Sequence, residues 1–511
     1  MHQRDRSPGN EQFIFALVFC KCLNWKSLTA TRKVAGFKVK FPLMEKNKQA
    51  SRRNFLKGLG GATLALATAP VTSFAAEEKL ESRILQYQKR IASTDKIRIG
   101  VIGLGIMGHN NISTSLKVPG VELVAACDLY KGRLQRAKEL FGNSLFTTQD
   151  YRELIGRSDV DAVIVATSDN WHARITQDAL QQGKAVYCEK PMVHRISEGA
   201  GVIAAQRKSD KVLQVGSQRV SSIVYAKAAE LYKSGEIGKL NLIQASFDRQ
   251  SALGAWQYTM PTDGNESTVD WDRYIAGTKK IPYDAKKFFW WRNYRDYGTG
   301  VAGDLFVHLL SGVHVITGSK GPNKIFSSGQ LSYWKDGRDV PDVMTAIMEY
   351  PETPEHPPFQ LMLRVNFISG EGDQGTIKLV GEEGVMDLRG NSLSIKHSMM
   401  PKAPGIGGWD ALNTYPAAMQ ETIRKEYNQK YSEADRKAPV KEDIAYKAPQ
   451  GYNEHLDHFM NFYEGVRTGK PVVEDAIFGF RAAAPCLACN DSYFEKKIIH
   501  WNPEEMKVVK G

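Results

Sequence analysis

The sequence predicts an α/β protein: a parallel sheet with covering helices followed by a second domain with a sheet of its own. Three observations predict it. From residue 96 to 217, β-branched runs alternate with helix-like stretches. A glycine-rich turn joins the first run to the first helix. After residue 218 the pattern shifts to strands with partial alternation, separated by turn signals. The chain of 511 residues is 42% hydrophobic and 24% charged, too apolar for disorder and long enough for two or three domains. Its net charge of +12 invites a nucleic-acid partner, but the distribution removes that reading. Residues 1–75 carry 13 Lys/Arg against 3 Asp/Glu, and the remainder is near neutral.

The basic N-terminus reads as an address. Ser51-Arg-Arg-Asn-Phe-Leu-Lys57 precedes an apolar, small-residue run, Gly58 to Phe74, which ends Ser73-Phe74-Ala75 like a cleavage site. The twin arginine resembles the Tat export signal. Gly58, Gly60 and Gly61 argue against a surface helix, and the run is too short and glycine-rich for a membrane span. Met44 makes a normal start for such a signal, so residues 1–43 are expected to be an over-extended start. The expected organisation is a signal over 44–75, a linker over 76–95, a nucleotide domain over 96–217 and a second domain over 218–511. Within the last, the Lys-, Pro- and Tyr-rich stretch 401–450 reads as an insertion.

Lys96 to Ile102 is the first strand. Gly103-Leu-Gly105-Ile106-Met107-Gly108 follows, and then a helix to about Leu116. In this G-x-G-x-x-G, Gly103 permits the tight turn, Gly105 lets backbone approach a pyrophosphate, and Gly108 lets the helix pack on the strand. The second strand, Val121 to Cys127, ends at Asp128, 20 residues after Gly108, a spacing that suits a carboxylate on the adenosine ribose. Asp128 repels a 2′-phosphate, which favours NAD over NADP, while Lys131 and Arg133 close behind leave NADP open. Further strands run over Ala162–Ala166, Lys184–Cys188 and Val212–Val215. Ligands gather at the carboxyl ends of such strands. There lie Thr167, with His172 opening the next helix as a ribose contact or cap, and Glu189-Lys190-Pro191.

At Glu189-Lys190-Pro191 the chain resembles the Gfo/Idh/MocA oxidoreductase family. Supporting pieces are the Gly-rich turn, Ala166-Thr-x4-His172, Ala179-Leu-x2-Gly-Lys184, Ser234-Gly-Glu-Ile-Gly238, Gly303-Asp304-x3-His308 and the ending Phe459 to Trp501. The resemblance spans about residues 96–501. It implies a Rossmann domain followed by an α/β domain whose open, mainly antiparallel sheet commonly makes the oligomer interface. The resemblance implies NAD as cofactor, contacted by Gly103, Gly105, Ile106, Met107, Gly108, Asp128, Thr167, His172, Glu189 and Lys190. The chain departs from the family in having Ser168 where Thr-Pro is frequent.

In the second half, strands are expected over 240–247, 326–334, 343–350, 359–368 and 376–380, with a hairpin around Gly390-Asn391. The stretch Trp271 to Tyr297, with Trp290, Trp291, Arg292 and Tyr294, suits sugar faces and hydroxyls and equally suits a domain interface. Oxidising a secondary alcohol needs a base for the hydroxyl proton and benefits from a cation near the developing alkoxide. Asp304 and His308, four apart, point the same way on a helix. His308 is expected to be the base, with Asp304 binding substrate or fixing the imidazole, and Lys190 to donate to the substrate oxygen. Tyr297 is a weaker acid candidate and His455 a possible pocket contact. His455 and His458 lack the further ligands a metal needs, so no metal is expected. Cys127 and Cys188 read as buried small residues, and Cys486-Leu-Ala-Cys489 as helix core.

These readings converge on an exported NAD-dependent oxidoreductase acting on a secondary hydroxyl of a sugar, cyclitol or glycoside. The expected partner is a small carbohydrate, without nucleic acid or membrane span, in a homo-oligomer. A redox-neutral glycoside-cleaving or epimerising enzyme with tightly held cofactor is the alternative, and a non-catalytic sugar-binding protein a further one.

Overall fold

A computed structural model of the protein describes residues 95–511, so the stretch read as an export signal and most of the expected linker lie outside the described residues. Among the described residues two sheets form. The first has six parallel strands: β1 (Ile97–Ile102), β2 (Val121–Cys127), β3 (Phe146–Thr148), β4 (Ala162–Val165), β5 (Ala185–Cys188) and β6 (Leu213–Val215). Their order is β3-β2-β1-β4-β5-β6, the doubly wound Rossmann order, whose direction reverses at β1. Parallel strands are covered on both faces, which is why β4 (AVIV) and β5 (AVYC) are apolar and buried throughout. The crossovers use helices α1 (Ile106–Ser115), α2 (Lys131–Phe141), α3 (Asp169–Gln181) and α4 (Gly199–Ser209).

Helix α5 (Ile223–Lys233) leads into a ten-stranded sheet, ordered β14-β13-β12-β11-β7-β10-β9-β8-β15-β16. Its strands are β7 (Leu240–Asp248), β8 (Lys324–Gln330), β9 (Val343–Tyr350), β10 (Phe359–Asn366), β11 (Gln374–Gly381), β12 (Gly384–Arg389), β13 (Ser392–His397), β14 (Ile444–Lys447), β15 (Ile499–Asn502) and β16 (Lys507–Val509). All pairings are antiparallel except β7 with β10. β10 alternates buried and exposed residues without a break until Asn366, so one face is core and the other is open. Helix α6 (Val307–Thr317) and the Ala-rich α9 (Ala476–Glu495) cover the core face. Helix α7 (Ala417–Lys430) and β14 occupy the stretch read as an insertion, and α7 buries no residue.

The division at residue 217 separates the two sheets but not the packing. Helix α8 (Glu454–Thr468), late in the chain, returns to the first sheet. There Phe459 stacks on Tyr187 of β5 at 4.3 Å, and Phe462 and Tyr463 share a core with Ile97 and Ile99. The four cysteines among the described residues, Cys127, Cys188, Cys486 and Cys489, are free and buried. The Cys486 and Cys489 thiols donate to the carbonyls of Ala482 and Pro485 within α9, as helix core does.

Candidate active site

A cavity of about 310 Å³ opens at the carboxyl ends of the parallel strands, between the Gly-rich turn and the face of α6. At one end are Gly103, Gly105, Ile106, Met107, Asp128 and Thr167, and at the other Glu189, Lys190, Arg249, Arg292, Asp304 and His308.

The turn is built for close approach. Gly103 has φ of +95°, and a Cβ there would lie 2.4 Å from the Ala166 carbonyl oxygen. A Cβ on Gly108 would lie 1.9 Å from the Gly103 oxygen, so α1 seats on the turn only without a side chain. Above Gly105 nothing stands closer than 4.0 Å, and α1 has no side-chain cap, leaving its first amide groups for an anionic ligand. Asp128 is buried. It accepts from the Leu104 amide at 2.7 Å and the Tyr130 amide at 2.9 Å, which aims its carboxylate at the turn. These residues fit a dinucleotide: an open cradle for the pyrophosphate with a carboxylate beside it for ribose hydroxyls. Of the two nearby cations, Lys131 turns away to the Ser267 carbonyl, whereas Arg133 lines the cavity 3.4 Å from Asp128.

The other end carries the chemistry. Lys190 follows β5, joined to Pro191 by a cis bond. Its Nζ donates to both the backbone oxygen and Oδ1 of Asp304, each at 2.9 Å. Arg292 Nε donates to the same Oδ1 at 3.2 Å while its guanidinium lies 4.2 Å over Trp291. Burial alone would raise the Asp304 carboxyl. The Lys190 ammonium and Arg292 guanidinium outweigh it and hold it well below the usual carboxylate range. Asp304 therefore partners Lys190 and Arg292 rather than the imidazole, a correction to its expected role as fixer of His308. The two residues also do not share a regular helix: Ala302–Phe306 is a π-helical turn that swells the chain just before α6 begins. His308 is pushed well below the ordinary histidine range by burial, reinforced by Lys190, Arg219 and Arg249 and opposed by Asp304. It is a neutral imidazole on the cavity wall.

Two expected contacts lie elsewhere. His172 does not line the cavity; its Nδ1 is 2.8 Å from the Pro191 carbonyl and its Nε2 3.2 Å from that of Thr167. It ties together the two loops that present Thr167 and Lys190, because the first turn of α3 passes beneath both. Tyr297 is buried in an aromatic cluster, stacked 4.8 Å from Tyr274, away from the cavity. His455 reaches the site only through Asn111, which bridges His455 Nε2 at 3.0 Å and Glu189 Oε1 at 2.9 Å. Glu189 itself is raised by burial, against the lowering effect of Asn111. His458 bonds Val215 and Ser221, and among the described residues no cluster suits a metal.

The sequence reading passed over Arg249, Trp256 and Tyr258. Arg249 directly follows β7, a strand-end position that is itself a signal. Trp256 has φ of +64°, costly for a residue with a Cβ, and is held edge-on to Phe367 at 4.8 Å.

Residues 97–217 match the model of the Gfo/Idh/MocA oxidoreductase family, described as an NAD-binding Rossmann fold, and this segment is an NAD-binding Rossmann domain. The chain is 34% identical over 145 residues to inositol 2-dehydrogenase of Salmonella typhimurium, covering 28% of this chain and 43% of that protein. It is 31% identical over 172 residues to a glycosyl hydrolase family 109 protein of Shewanella baltica, covering 31% and 38%. The chain thus spans less than half the length of these curated relatives. In fold it is similar to the aldose-aldose oxidoreductase of Caulobacter crescentus complexed with glycerol. That likeness has a TM-score of 0.55 at 16% identity, over 79% of this chain and 99% of that one.

Proposed function

We propose that the chain is an exported NAD-linked oxidoreductase acting on a secondary hydroxyl of a sugar, cyclitol or glycoside. The observation that carries it is the placing of Lys190 and His308 about Asp304 in the cavity that also holds the Gly-rich turn. Bound NAD supplies the hydride acceptor. His308, kept neutral, takes the hydroxyl proton at an imidazole nitrogen. Lys190 has three N–H donors. Two are held by Asp304, so the ammonium is fixed and one donor remains for the substrate oxygen on which charge develops. Arg292 shares the Asp304 carboxylate and so keeps that anion from acting as a rival base. The inositol 2-dehydrogenase relative supports an alcohol of this class.

The second reading keeps the site and makes the net reaction redox-neutral, with the cofactor retained. The glycosyl hydrolase relative and the export signal at Arg52-Arg53 favour it. Among the described residues no helix is long and apolar enough to cross a membrane. Copies of the chain associate, in this proposal, through the open face of the second sheet, where Phe326, Ile347 and Met362 form one exposed row across β8, β9 and β10.

The test is His308→Asn assayed for oxidised sugar product. A general base is worth about 10²- to 10⁴-fold, and kcat/KM is expected to fall by that much. The wild-type acid limb is expected below pH 6.5, because the neutral imidazole is lost only as pH drops through a lowered value. Near-full turnover by the variant excludes His308 as the base.

A further inference from the structure

The chemical end of the cavity holds more positive charge than its two carboxyl groups, Asp304 and Glu189, answer, and burial raises Glu189 toward its neutral form. Asp304 is already shared by Lys190 and Arg292. Two more guanidinium groups stand over a single ring: Arg249 lies 5.3 Å and Arg219 5.2 Å from the centre of Phe247, and the His308 ring lies 6.1 Å from the same centre. Arg249 lines the cavity and donates to the Gly254 carbonyl at 2.8 Å. Arg219 does not line the cavity; it donates to the Tyr225 hydroxyl at 3.4 Å, with Glu454 of α8 in its field. Nearby carboxyl groups are engaged elsewhere: Glu189 by Asn111, Asp248 by Arg364, and Asp169 by Thr299. Arg249 projects from the second domain, whereas the pyrophosphate cradle lies on the first, so the dinucleotide phosphates do not account for it.

A neutral polyol gains little from such a field. An oxyanion gains charge-assisted hydrogen bonds in a water-poor site. We infer that the substrate is an anionic sugar, its carboxylate or sulfate seated on Arg249 with Arg219 adding to the positive field, and its reacting carbinol before Lys190 and His308. This rests on the oxidoreductase reading for the carbinol, but the anion seat stands on its own geometry. The aromatic wall of Trp256, Tyr258 and Trp291 then meets the sugar ring.

The experiment titrates the NAD-loaded protein at low ionic strength with methyl glucoside, glucuronate and glucose 6-sulfate, read by tryptophan fluorescence and, separately, by turnover. At least one anionic sugar is expected to bind about 10- to 100-fold tighter than the neutral one, the size of a charge-assisted pair. Whichever sugar shows the gap identifies the oxyanion. Arg249→Gln is expected to collapse the gap, and Arg249→Lys, which keeps the charge, to retain part of it. Equal affinity for neutral and anionic sugars, no binding of either anion, or a gap that survives Arg249→Gln overturns the inference. An anion gap without any oxidation leaves the seat standing and removes the oxidoreductase reading. Oxidation of neutral sugars through His308 without a gap does the reverse.

Discussion

Asp128 shows how one side chain sets a preference. Its oxygens already accept two backbone amides, so the carboxylate is fixed in place before any ribose arrives. Removing it in Asp128→Ala is expected to weaken NAD by about 10- to 100-fold, the loss of a charge-assisted contact, and to narrow the preference over NADP. Equilibrium binding of both dinucleotides measures this. A wild-type protein that prefers NADP contradicts it and points to Arg133, since Lys131 is turned away. At this scale the sequence is legible where spacing alone places a residue. Gly103, Asp128, Lys190 and His308 stand at strand ends or on the α6 face and all reach the cavity. It misleads where packing decides: His172 follows a strand just as Thr167 does, yet its ring points under the loops, and Tyr297 is drawn into an aromatic core. Arg249 carries only its strand-end position as a signal, one that an exposed charge after a strand shares.

Helix α6 carries both the proposed base and a deeply buried histidine. His314, less than two turns after His308, is held to about 3 by burial and meets the Tyr350 hydroxyl at 3.0 Å. Its folded value lies below the unfolded value, so the contribution to stability is complete above pH 6.5 and is lost as pH falls toward 3. Between pH 8 and pH 5 the loss is about 2 kcal/mol. His314→Gln is therefore expected to be less acid-sensitive than wild type by about that amount in urea unfolding at the two pH values, and an unchanged pH dependence refutes the assignment. The same scale separates what sequence pattern reveals about elements. Buried parallel strands announce themselves as apolar runs, and the β12–β13 hairpin by its Gly-Asn turn. β14, β15 and β16 are only three or four residues long, too short for an alternating pattern to mark them. The π turn before α6 is invisible because a 3.6-residue period was assumed through it. The neighbouring of β7 and β10, more than a hundred residues apart, is a property of the assembled sheet and of no local stretch.

For the whole molecule, address and cofactor bear on each other. On the proposed twin-arginine route the protein would cross the membrane folded, with NAD loaded before export, and no regenerating pool is expected outside. Extensively desalted protein is then expected to sustain turnover without added NAD, either by oxidising and re-reducing one substrate or by alternating two. Mass spectrometry and absorbance of the same sample check for retained NAD(H). Empty protein that needs a continuous external supply and releases stoichiometric NADH restores the simple dehydrogenase. The thiols give folding before export a second meaning. All four described cysteines are buried, and burial raises Cys127, Cys486 and Cys489 and brings Cys188 to about 12. Disulfide chemistry proceeds through thiolate, and the native fold offers almost none. A chain threaded unfolded into an oxidising compartment would expose all four at once and could be locked into a wrong pairing. Folded first, as the proposed route requires, it would arrive with its four described thiols chemically silent.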